Sequence, residues 1–331
     1  MRTLHSTART LRRHALGVTL IELMVAVAIG AFLMIGAMSV FMQSRTTFRI
    51  NQSVARLQEN ARFVLATIEP DIRMASYYGL ASNGYQVTGR AKMTAPNGIG
   101  PNSCGANWAI DLESPIVGWN NAYGWPPCAA TNGYQNGTDT IVIRRTADNP
   151  TPVLANNNLY VYGLRGAQAQ LFLPPLPGTV LPGGQSFLLI ARGYYISRQS
   201  TSLGTKGATI PSLRRKFLTT GPQIQDEEVL PGVEDLQVEL GIDQDAPGAA
   251  GRGSVDRYVN PGDALLAGPN TAILAVRIWL RLRAEDIENG FTDTANYVYA
   301  DVNFTPNAAQ APFRRLLISK TIYLRNARPP T

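Results

Sequence analysis

The chain has 331 residues, with 30 basic and 23 acidic side chains and a net charge of +7. It is 45% hydrophobic and only 16% charged, which excludes a wholly disordered protein, and its length is ample to bury a core. Its 2 cysteines exclude a small disulfide-framework scaffold and a structural zinc site built from Cys alone.

The positive charge is concentrated at the N-terminus. The first 17 residues hold both histidines and no acidic residue, and their arginines are Arg2, Arg9, Arg12 and Arg13. This segment carries +4 of the +7, so the remaining 314 residues carry +3 and no histidine. The basic character of the whole chain therefore gives little support to a nucleic-acid-binding function.

Residues 18–42 form an apolar run of 25 residues whose single charge is Glu22. Roughly 20 such residues span a bilayer core as a helix. A secretory signal peptide has an apolar region of only about 7–15 residues, followed by a small-residue cleavage site, whereas here the small residue Gly17 precedes the run. The run therefore predicts a membrane-spanning helix, and the arginines before it predict a cytoplasmic N-terminus.

Glu22 is the anomaly in this helix, because an unpaired carboxylate is costly inside a membrane. One alternative places it at the interface, where it reaches the lipid headgroups. The sequence LGVTLIELM at residues 16–24, however, resembles the class III signal of type IV pilins and type II secretion pseudopilins. That resemblance implies that a prepilin peptidase removes residues 1–17 by cleaving between Gly17 and Val18, and that the new terminus is methylated. This chain has Val18 where that family most often has Phe.

Cleavage after Gly17 would create a free α-amine at Val18 and make Glu22 the fifth residue of the mature chain, which is the position of the family's hallmark Glu. When such helices stack outside the lipid, the amine of one subunit and Glu22 of a neighbour form an ion pair. In a low dielectric either charge alone is costly, so the two are stable only together. We therefore predict that Glu22 sets the register between assembled subunits.

The apolar helix is predicted to continue as an amphipathic helix over residues 43–76. Its apolar side chains recur mostly three, four or seven residues apart: Phe41, Phe48, Val54, Leu57, Ala61, Val64, Leu65, Ile68, Ile72 and Ala75. A soluble coiled coil is excluded, because the first half of the helix has no polar face. Pro70 is expected to kink or end the helix.

Residues 79–138 are rich in Gly, Asn, Pro and Trp, which predicts a long structured loop region. Cys104 and Cys128 lie 24 residues apart, unlike a CxxC redox pair or a metal knuckle. Because we expect an oxidising periplasm beyond the membrane, one structural disulfide is predicted, with two separate buried thiols as the alternative. The same region holds the aromatic residues Trp108, Trp119, Tyr123 and Trp125. They form either a partner-binding surface or a satellite core under the disulfide.

Strand signals dominate the remaining chain. Short β-rich or alternating segments, separated by Gly, Pro and Asn breaks, occur at residues 139–145, 159–162, 187–192, 215–218, 233–240, 271–283, 316–319 and 321–324. Together with the long N-terminal helix they predict an α+β fold, in which the helix packs on a mainly antiparallel β-sheet. The pilin resemblance implies the same arrangement, with a β-rich head formed by residues 77–331.

Motifs along the chain are similar to those of PilW-type minor pilins: DIRMA at 71–75, YYG at 77–79, GVEDLQV at 232–238, GID at 241–243, AVRI at 275–278 and TIYLRN at 321–326. The resemblance implies a minor pilin of the type IV pilus that helps to initiate pilus assembly, in a minor-pilin complex at the tip. A type II secretion minor pseudopilin of the J type is the alternative. It is similar in the VED-like and VRI-like strands but is typically shorter.

The PilW resemblance also implies partners and location. The partners are the prepilin peptidase, other minor pilins and the major pilin, with a tip adhesin as a further candidate. The precursor is a single-pass inner-membrane protein with a cytoplasmic N-terminus and a periplasmic head, which then joins the pilus fibre.

No catalytic constellation is recognisable. The absence of histidine after residue 17 excludes Ser-His-Asp and Cys-His nucleophiles and His-ligated metal sites in the mature chain. There is also no Walker-type phosphate loop. We therefore predict a structural protein without catalytic residues, cofactor or metal. A membrane-anchored periplasmic enzyme is the alternative from another class.

Several charged clusters allow more than one interpretation. The acidic residues at 226–228 and 234–235 are interpreted as solvated faces around a strand, rather than as catalytic carboxylate pairs. The sequence DQD at 243–245 is similar to the start of a calcium loop but lacks the downstream Glu, so no calcium site is predicted. The basic residues at 214–216 and 314–315 are interpreted as solvated or ion-paired surface rather than as a nucleic-acid contact.

Overall fold

The structure, a computed structural model, describes residues 17–93, 104, 107–125, 128–176, 178 and 180–327. The arginines and histidines of the predicted leader, in residues 1–16, lie outside the described residues. The chain divides into two units, Met1–Gln52 and Ser53–Thr331.

A single helix, α1 (Leu20–Arg73), contains both the predicted apolar segment and the predicted amphipathic segment. Pro70 lies in its last turn and does not interrupt it. The helix ends at Arg73, three residues before the predicted boundary. Ser76 adopts a left-handed backbone with φ of 67°, a conformation that commonly terminates a helix.

The remainder of the second unit is built from β-strands. Their bounds are β1 (Val87–Thr88), β2 (Ile116–Trp119), β3 (Thr140–Thr146), β4 (Tyr160–Gly163), β5 (Ala169–Phe172), β6 (Gln185–Ser197), β7 (Ser212–Thr219), β8 (Gln223–Pro231), β9 (Val233–Asp243), β10 (Arg257–Val259), β11 (Ala272–Arg283), β12 (Tyr297–Tyr299), β13 (Val302–Phe304) and β14 (Arg315–Tyr323).

These strands form three sheets. An eight-stranded sheet runs β1-β5-β4-β6-β3-β2, with β7 pairing β6 and β8 pairing β7. A four-stranded sheet runs β10-β9-β11-β14, and β12 and β13 form a two-stranded ribbon. Within the described residues, the pairing of β1 with β5 is parallel and the other strand pairs are antiparallel. The predicted α+β fold with a mainly antiparallel sheet is therefore confirmed.

The largest hydrophobic cluster joins the second half of α1 to the sheets. The helix contributes residues spaced three or four apart, namely Leu57, Ala61, Val64, Ile68 and Ile72. This spacing places them on one face of the helix. They are all buried, together with the alternate apolar residues of β9 and β11. The amphipathic pattern of this half of α1 is thus explained by packing against the head.

The predicted secondary structure differs from the structure in several places. Strand β8 and the short strands β5, β10, β12 and β13 were not predicted. The signals at 316–319 and 321–324 belong to one strand, β14, because Lys320 stays in register opposite Ile278 of β11. The predicted loop region 79–138 contains the short strands β1 and β2. β2 pairs with β3 and β1 with β5, so tertiary pairing stabilises strands that are too short to show an alternating pattern.

Candidate functional site

The N-terminal end of α1 is closed by a reciprocal hydrogen-bonded cap. The backbone N–H and the hydroxyl of Thr19 donate to Glu22 Oε2 at 3.0 and 2.9 Å, and the Glu22 N–H donates to Thr19 Oγ1 at 3.3 Å. This is a capping box, which satisfies backbone donors that a helix end otherwise leaves unpaired. The signal for this cap, a Thr followed by a Glu three residues later, is present in the sequence but was missed. Glu22 was interpreted there as a partner for another subunit, with a charge at the membrane interface as the alternative.

The cap uses one oxygen of Glu22 and leaves the other available. Both Thr19 bonds go to Oε2, and Oε1 has no hydrogen bond among the described residues. The negative charge also lies in the first turn of α1, where it interacts favourably with the helix dipole. Gly17 and Val18 directly precede this cap in non-helical conformation. The three residues predicted for processing and assembly therefore lie in one short segment.

The apolar side chains that follow the cap are exposed. From Val18 to Met42 the large apolar residues are 51% to 78% exposed. This part of α1 is long and apolar enough to cross a membrane, and none of it is buried. Exposed apolar surface on this scale marks a segment that is covered by lipid or by other helices.

In the second unit, a buried carboxylate anchors the last turn of α1 to the eight-stranded sheet. Asp71 accepts hydrogen bonds from Arg145 Nη2 of β3 at 2.9 Å, from Arg192 Nη1 of β6 at 3.0 Å, and from the Tyr194 hydroxyl of β6 at 2.6 Å. Asp71 is fully buried. Burial, together with the neighbouring Asp71, raises the pKa of Tyr194, so its hydroxyl remains a donor. This site was not predicted, although an acidic residue beside Ile72, an apolar position of the amphipathic pattern, was a sequence signal for it.

Glu69 links the same helix turn to the four-stranded sheet. Lys320 Nζ of β14 lies 2.5 Å from Glu69 Oε2, and Arg73 also pairs with Glu69. The hydrogen bond from Lys320 lowers the pKa of Glu69. Because Glu69 and Lys320 remain accessible to solvent, this pair adds orientation more than stability.

The carboxylates at 234–235 are not a solvated face, and that interpretation was wrong. Glu234 and Asp235 are buried on the second face of β9. Arg315 Nε of β14 lies 2.8 Å from Glu234 Oε2, and Arg281 Nε of β11 lies 3.2 Å from the same oxygen. Tyr299 donates to Asp235 Oδ2 at 2.5 Å. The alternating pattern of β9 correctly separates two faces, but loops and the β12–β13 ribbon cover the polar one.

The acidic cluster at 226–228 is likewise paired rather than solvated. The antiparallel register of β7 and β8 places Arg214 opposite Glu228, Arg215 opposite Glu227 and Lys216 opposite Asp226. Arg214 Nε and Lys216 Nζ each lie 2.7 Å from a carboxylate oxygen of Asp226. Burial raises the pKa of Asp226, but the hydrogen bonds from Lys216, Tyr195 and Arg214 outweigh it and lower the pKa overall.

The two basic clusters are therefore ion-paired. Arg214 and Lys216 are 4% and 3% exposed, which leaves them little surface for another ligand. In the second cluster, Arg314 pairs with Glu288 and Arg315 with Glu234 and Asp293. Because the hairpin β7–β8 turns near residue 221, opposite charges equidistant from that turn were a sequence signal for this pairing.

The two aspartates of the DQD sequence lie close to a third acidic residue, Asp256. Oxygens of Asp243, Asp245 and Asp256 lie within 4.8 Å of one another. Two of these carboxylates already accept hydrogen bonds from backbone N–H groups. Those of Asp245 and Gly253 donate to Asp243, and that of Gln244 donates to Asp256 Oδ2. Arg252 Nη1 lies 3.7 Å from Asp243 Oδ1. The cluster thus shapes the loop between β9 and β10.

Cys104 and Cys128 form a disulfide, with their Cα atoms 4.6 Å apart. Beneath it lies a hydrophobic cluster that includes Trp108 and Trp125, which are 0% and 1% exposed. Trp119 and Tyr123 pack against this cluster. Of the two alternatives for the aromatic residues, the satellite core under the disulfide is therefore correct.

Comparison with known protein families gives two matches. A family model described as Type IV Pilus-assembly protein W matches residues 193–326, and one described as Prokaryotic N-terminal methylation motif matches residues 12–38. The first match includes β7 to β14, and the second includes Gly17, Val18 and Glu22. No curated protein and no solved structure matches the chain.

Proposed function

We propose that this chain, a PilW-family type IV pilin with a prepilin-type signal, is a minor pilin that helps to initiate pilus assembly. Pilin-family domains are structural, and we propose that the protein is a structural subunit and not an enzyme. The observation that carries this proposal is the exposed apolar half of α1, which begins at Leu20, three residues after Gly17, and contains Glu22 in its first turn. Such a segment requires lipid before assembly and neighbouring helices afterwards.

Processing is the first step of the proposed function. A prepilin peptidase cleaves between Gly17 and Val18 and the new amine is methylated, as the N-terminal methylation motif over residues 12–38 suggests. The non-helical conformation of residues 17–19 supports this, because it leaves the peptide bond after Gly17 outside the helix. The leader and its four arginines are discarded at this step.

The proposed topology follows from the same segment. The precursor crosses the inner membrane once through residues 18–42, with its N-terminus in the cytoplasm and its head in the periplasm. The disulfide between Cys104 and Cys128 supports an oxidising compartment for the head. After extraction from the membrane, the apolar half of α1 packs among the helices of other pilins in the fibre.

Glu22 is the proposed register element of that packing. Its Oε2 closes its own helix, while Oε1 accepts the Val18 amine of a neighbouring subunit. The carboxylate therefore stabilises its own helix end and the contact between subunits at the same time. The partners that we propose are other minor pilins and the major pilin, in a complex at the pilus tip, with a tip adhesin as a further candidate.

Processing is tested by comparing Gly17→Phe with Gly30→Phe in the native host. Gly30 has open space around its Cβ position, so the same bulky side chain there is a matched control. We expect the Gly17 variant to accumulate as an uncleaved membrane precursor and the Gly30 variant to be cleaved, as judged by gel mobility. Normal cleavage of the Gly17 variant would refute the processing step.

The assembly role of Glu22 is tested with Glu22→Gln, which retains shape but not charge. We expect normal cleavage and a severalfold loss of this subunit from sheared pili, because the neighbour's amine then lacks its counter-ion. Glu59→Gln, at an exposed position of the same helix, is the control and should leave incorporation unchanged. Wild-type incorporation of the Glu22 variant would argue against the pairing.

The alternative of a type II secretion pseudopilin makes a different prediction in the same host. Deletion of the pilus assembly genes should abolish surface exposure of a minor pilin, whereas deletion of the secretion genes should not. The opposite pattern would assign the protein to secretion. Hydrolytic activity of the purified full chain would instead support the membrane-anchored enzyme.

A further inference from the structure

A cavity of about 400 Å³ lies where the end of α1 meets the head. One wall is the turn after the helix, residues 76–82, and the others are Arg165, Arg325 and Asn326. Two of the segments that resembled family motifs, YYG at 77–79 and TIYLRN at 321–326, therefore meet at this cavity although about 250 residues separate them in the chain. Neither the assembly role nor the proposed membrane anchor makes use of it.

The walls of the cavity are held in place by buried contacts. Arg325 donates its backbone N–H to Arg73 O at 3.0 Å, and Ser76 donates its own to Arg144 O at 3.3 Å. Tyr78 is 1% exposed and its hydroxyl donates to Leu112 O at 3.0 Å. Gly79 has φ of +66°, and a Cβ there would meet the Phe187 ring at 2.3 Å. The cavity is thus a preformed feature of the fold.

The side chains that border the cavity are mainly hydrogen-bond donors. Arg165 and Arg325 are exposed, and neither guanidinium group has an ion-pair partner among the described residues. Asn326 Nδ2 is buried and has no hydrogen-bond partner there either. The described lining contains no carboxylate. Asp148 lies outside the lining, and its backbone oxygen accepts a hydrogen bond from the Tyr77 hydroxyl at 3.4 Å. Burial, together with the charge of Asp148, raises the pKa of Tyr77.

This donor set selects an oxyanion. Arginine binds carboxylate and phosphate oxygens through paired N–H groups, and hydrogen bonds to an ionised group are the strong ones. The cavity supplies two positive charges that have no ion-pair partner among the described residues. By contrast, the arginines at 214–215 and 314–315 are paired with carboxylates of neighbouring strands or loops.

The size and remaining walls of the cavity favour an organic anion over an inorganic one. About 400 Å³ lies within the range of small-molecule sites and leaves room for a carbon skeleton beside the charged group. Tyr77 and Leu80 are partly exposed and provide apolar surface for that skeleton. We propose that this cavity binds an organic carboxylate, with Arg165 and Arg325 on its oxygens and Tyr77 and Leu80 against its carbon body.

The site is tested on the full chain purified in detergent, by ligand-detected NMR with benzoate, benzamide and inorganic phosphate at equal ionic strength. Benzamide has the shape of benzoate without its charge. We expect benzoate to bind at least about tenfold more tightly than benzamide, because the hydrogen bonds to an ionised group are lost. Equal binding of both, or binding of phosphate without benzoate, would overturn the assignment.

Substitutions locate the binding. Arg165→Gln and Arg325→Gln should each weaken benzoate about tenfold. Arg257→Gln is the matched control, since Arg257 is an exposed arginine outside the cavity, and it should bind as the wild type does. Because both test arginines are exposed and have no ion pair within the described part of the chain, the variants should keep the wild-type unfolding midpoint. Unchanged benzoate affinity in both would refute the site.

The source of the carboxylate is distinguished with a blocked tripeptide that contains a central glutamate. Tighter binding of this peptide than of benzoate would identify an acidic side chain of another protein as the ligand. Tighter binding of benzoate would identify a free organic acid. Either result supports the cavity as a carboxylate site, and neither depends on the proposed assembly role of Glu22.

Discussion

Arg192 Nη1 lies 3.0 Å from both carboxylate oxygens of Asp71, which joins the last turn of α1 to β6. Asp71 is fully buried and also accepts hydrogen bonds from Arg145 and Tyr194. Removal of its charge would leave two guanidinium groups without their counter-ion, and breaking a buried ion pair in this way is strongly destabilising.

Asp71→Asn should therefore lower the free energy of unfolding by about 3 kcal/mol. The measurement is urea unfolding of the full chain in detergent, followed by tryptophan fluorescence. The 4 tryptophans all lie between residues 108 and 279, so the signal reports on the head.

Glu59→Gln is the matched control for the loss of one negative charge from α1. Glu59 is exposed and has no ion pair among the described residues, so its replacement should change stability by less than about 0.5 kcal/mol. Similar losses in the two variants would contradict an anchoring role for Asp71.

Periodicity was sufficient to predict α1 and most of the long strands. Leu57, Val64 and Ile68 recur at helical spacing, and apolar and polar residues alternate along β9 and β11. The apolar side of each of these elements can therefore be identified from its own sequence. The Gly17–Glu22 segment was predicted for a different reason, because a leader, a glycine and a carboxylate coincide within a few residues.

Pairing between distant residues could not be predicted in this way. Asp71 and Arg192 are 121 residues apart, and no local pattern links them. Alternation along β9 separated its faces but did not reveal that Tyr299 and the β12–β13 ribbon cover the polar one. Glu234 and Asp235 were therefore interpreted as solvated although they are buried.

The disulfide between Cys104 and Cys128 should contribute about 3 to 4 kcal/mol, because closing a loop of 24 residues restricts the unfolded chain. We expect the double variant Cys104→Ser, Cys128→Ser to unfold at correspondingly lower urea concentration. The satellite core around Trp125 should be the region that loosens first.

A reductant provides the control for the cysteine variant. Dithiothreitol should destabilise the wild type to the level of the double variant and should leave the double variant unchanged. Wild-type stability in the double variant would show that the bond does not constrain the chain.

Asp139 should make the stability of the head depend on pH. Burial raises the pKa of Asp139 from 3.8 to about 7, although the N–H groups of Asn121 and Val238 donate to it. The charges of Asp301 and Asp235 contribute to this rise. Between about pH 4 and 7 the folded state therefore holds a proton that the unfolded chain has released. Stability should fall as the pH rises through this window, by at most about 1.4 kcal/mol per pH unit.

Asp139→Asn tests this dependence, since the amide does not titrate. We expect a flatter plot of unfolding free energy against pH between about 4 and 7, even if the variant is less stable throughout. The slope of this plot is the informative quantity, because a loss of stability that is the same at every pH does not change it. An unchanged slope would show that other groups, such as Asp235, account for the pH dependence.

Thr19→Val should open the N-terminal cap of α1 without changing side-chain shape. The Glu22 N–H donates to Thr19 Oγ1 at 3.3 Å, and the Thr19 hydroxyl donates to Glu22 Oε2 at 2.9 Å. Loss of such a cap costs about 1 kcal/mol, so the Glu22 amide should exchange its proton about fivefold faster in detergent micelles. Thr19→Ser retains the hydroxyl and should exchange as the wild type does.

The same variants separate the two proposed uses of Glu22. Thr19→Val removes the hydroxyl's bond to Oε2 but leaves the backbone N–H bond to Oε2, the charge and Oε1, so the neighbour's amine still has its counter-ion. Incorporation into sheared pili should therefore fall less in Thr19→Val than in Glu22→Gln. If Thr19→Val abolished incorporation while Glu22→Gln did not, the hydroxyl of Thr19 and not the carboxylate would be the group that governs assembly.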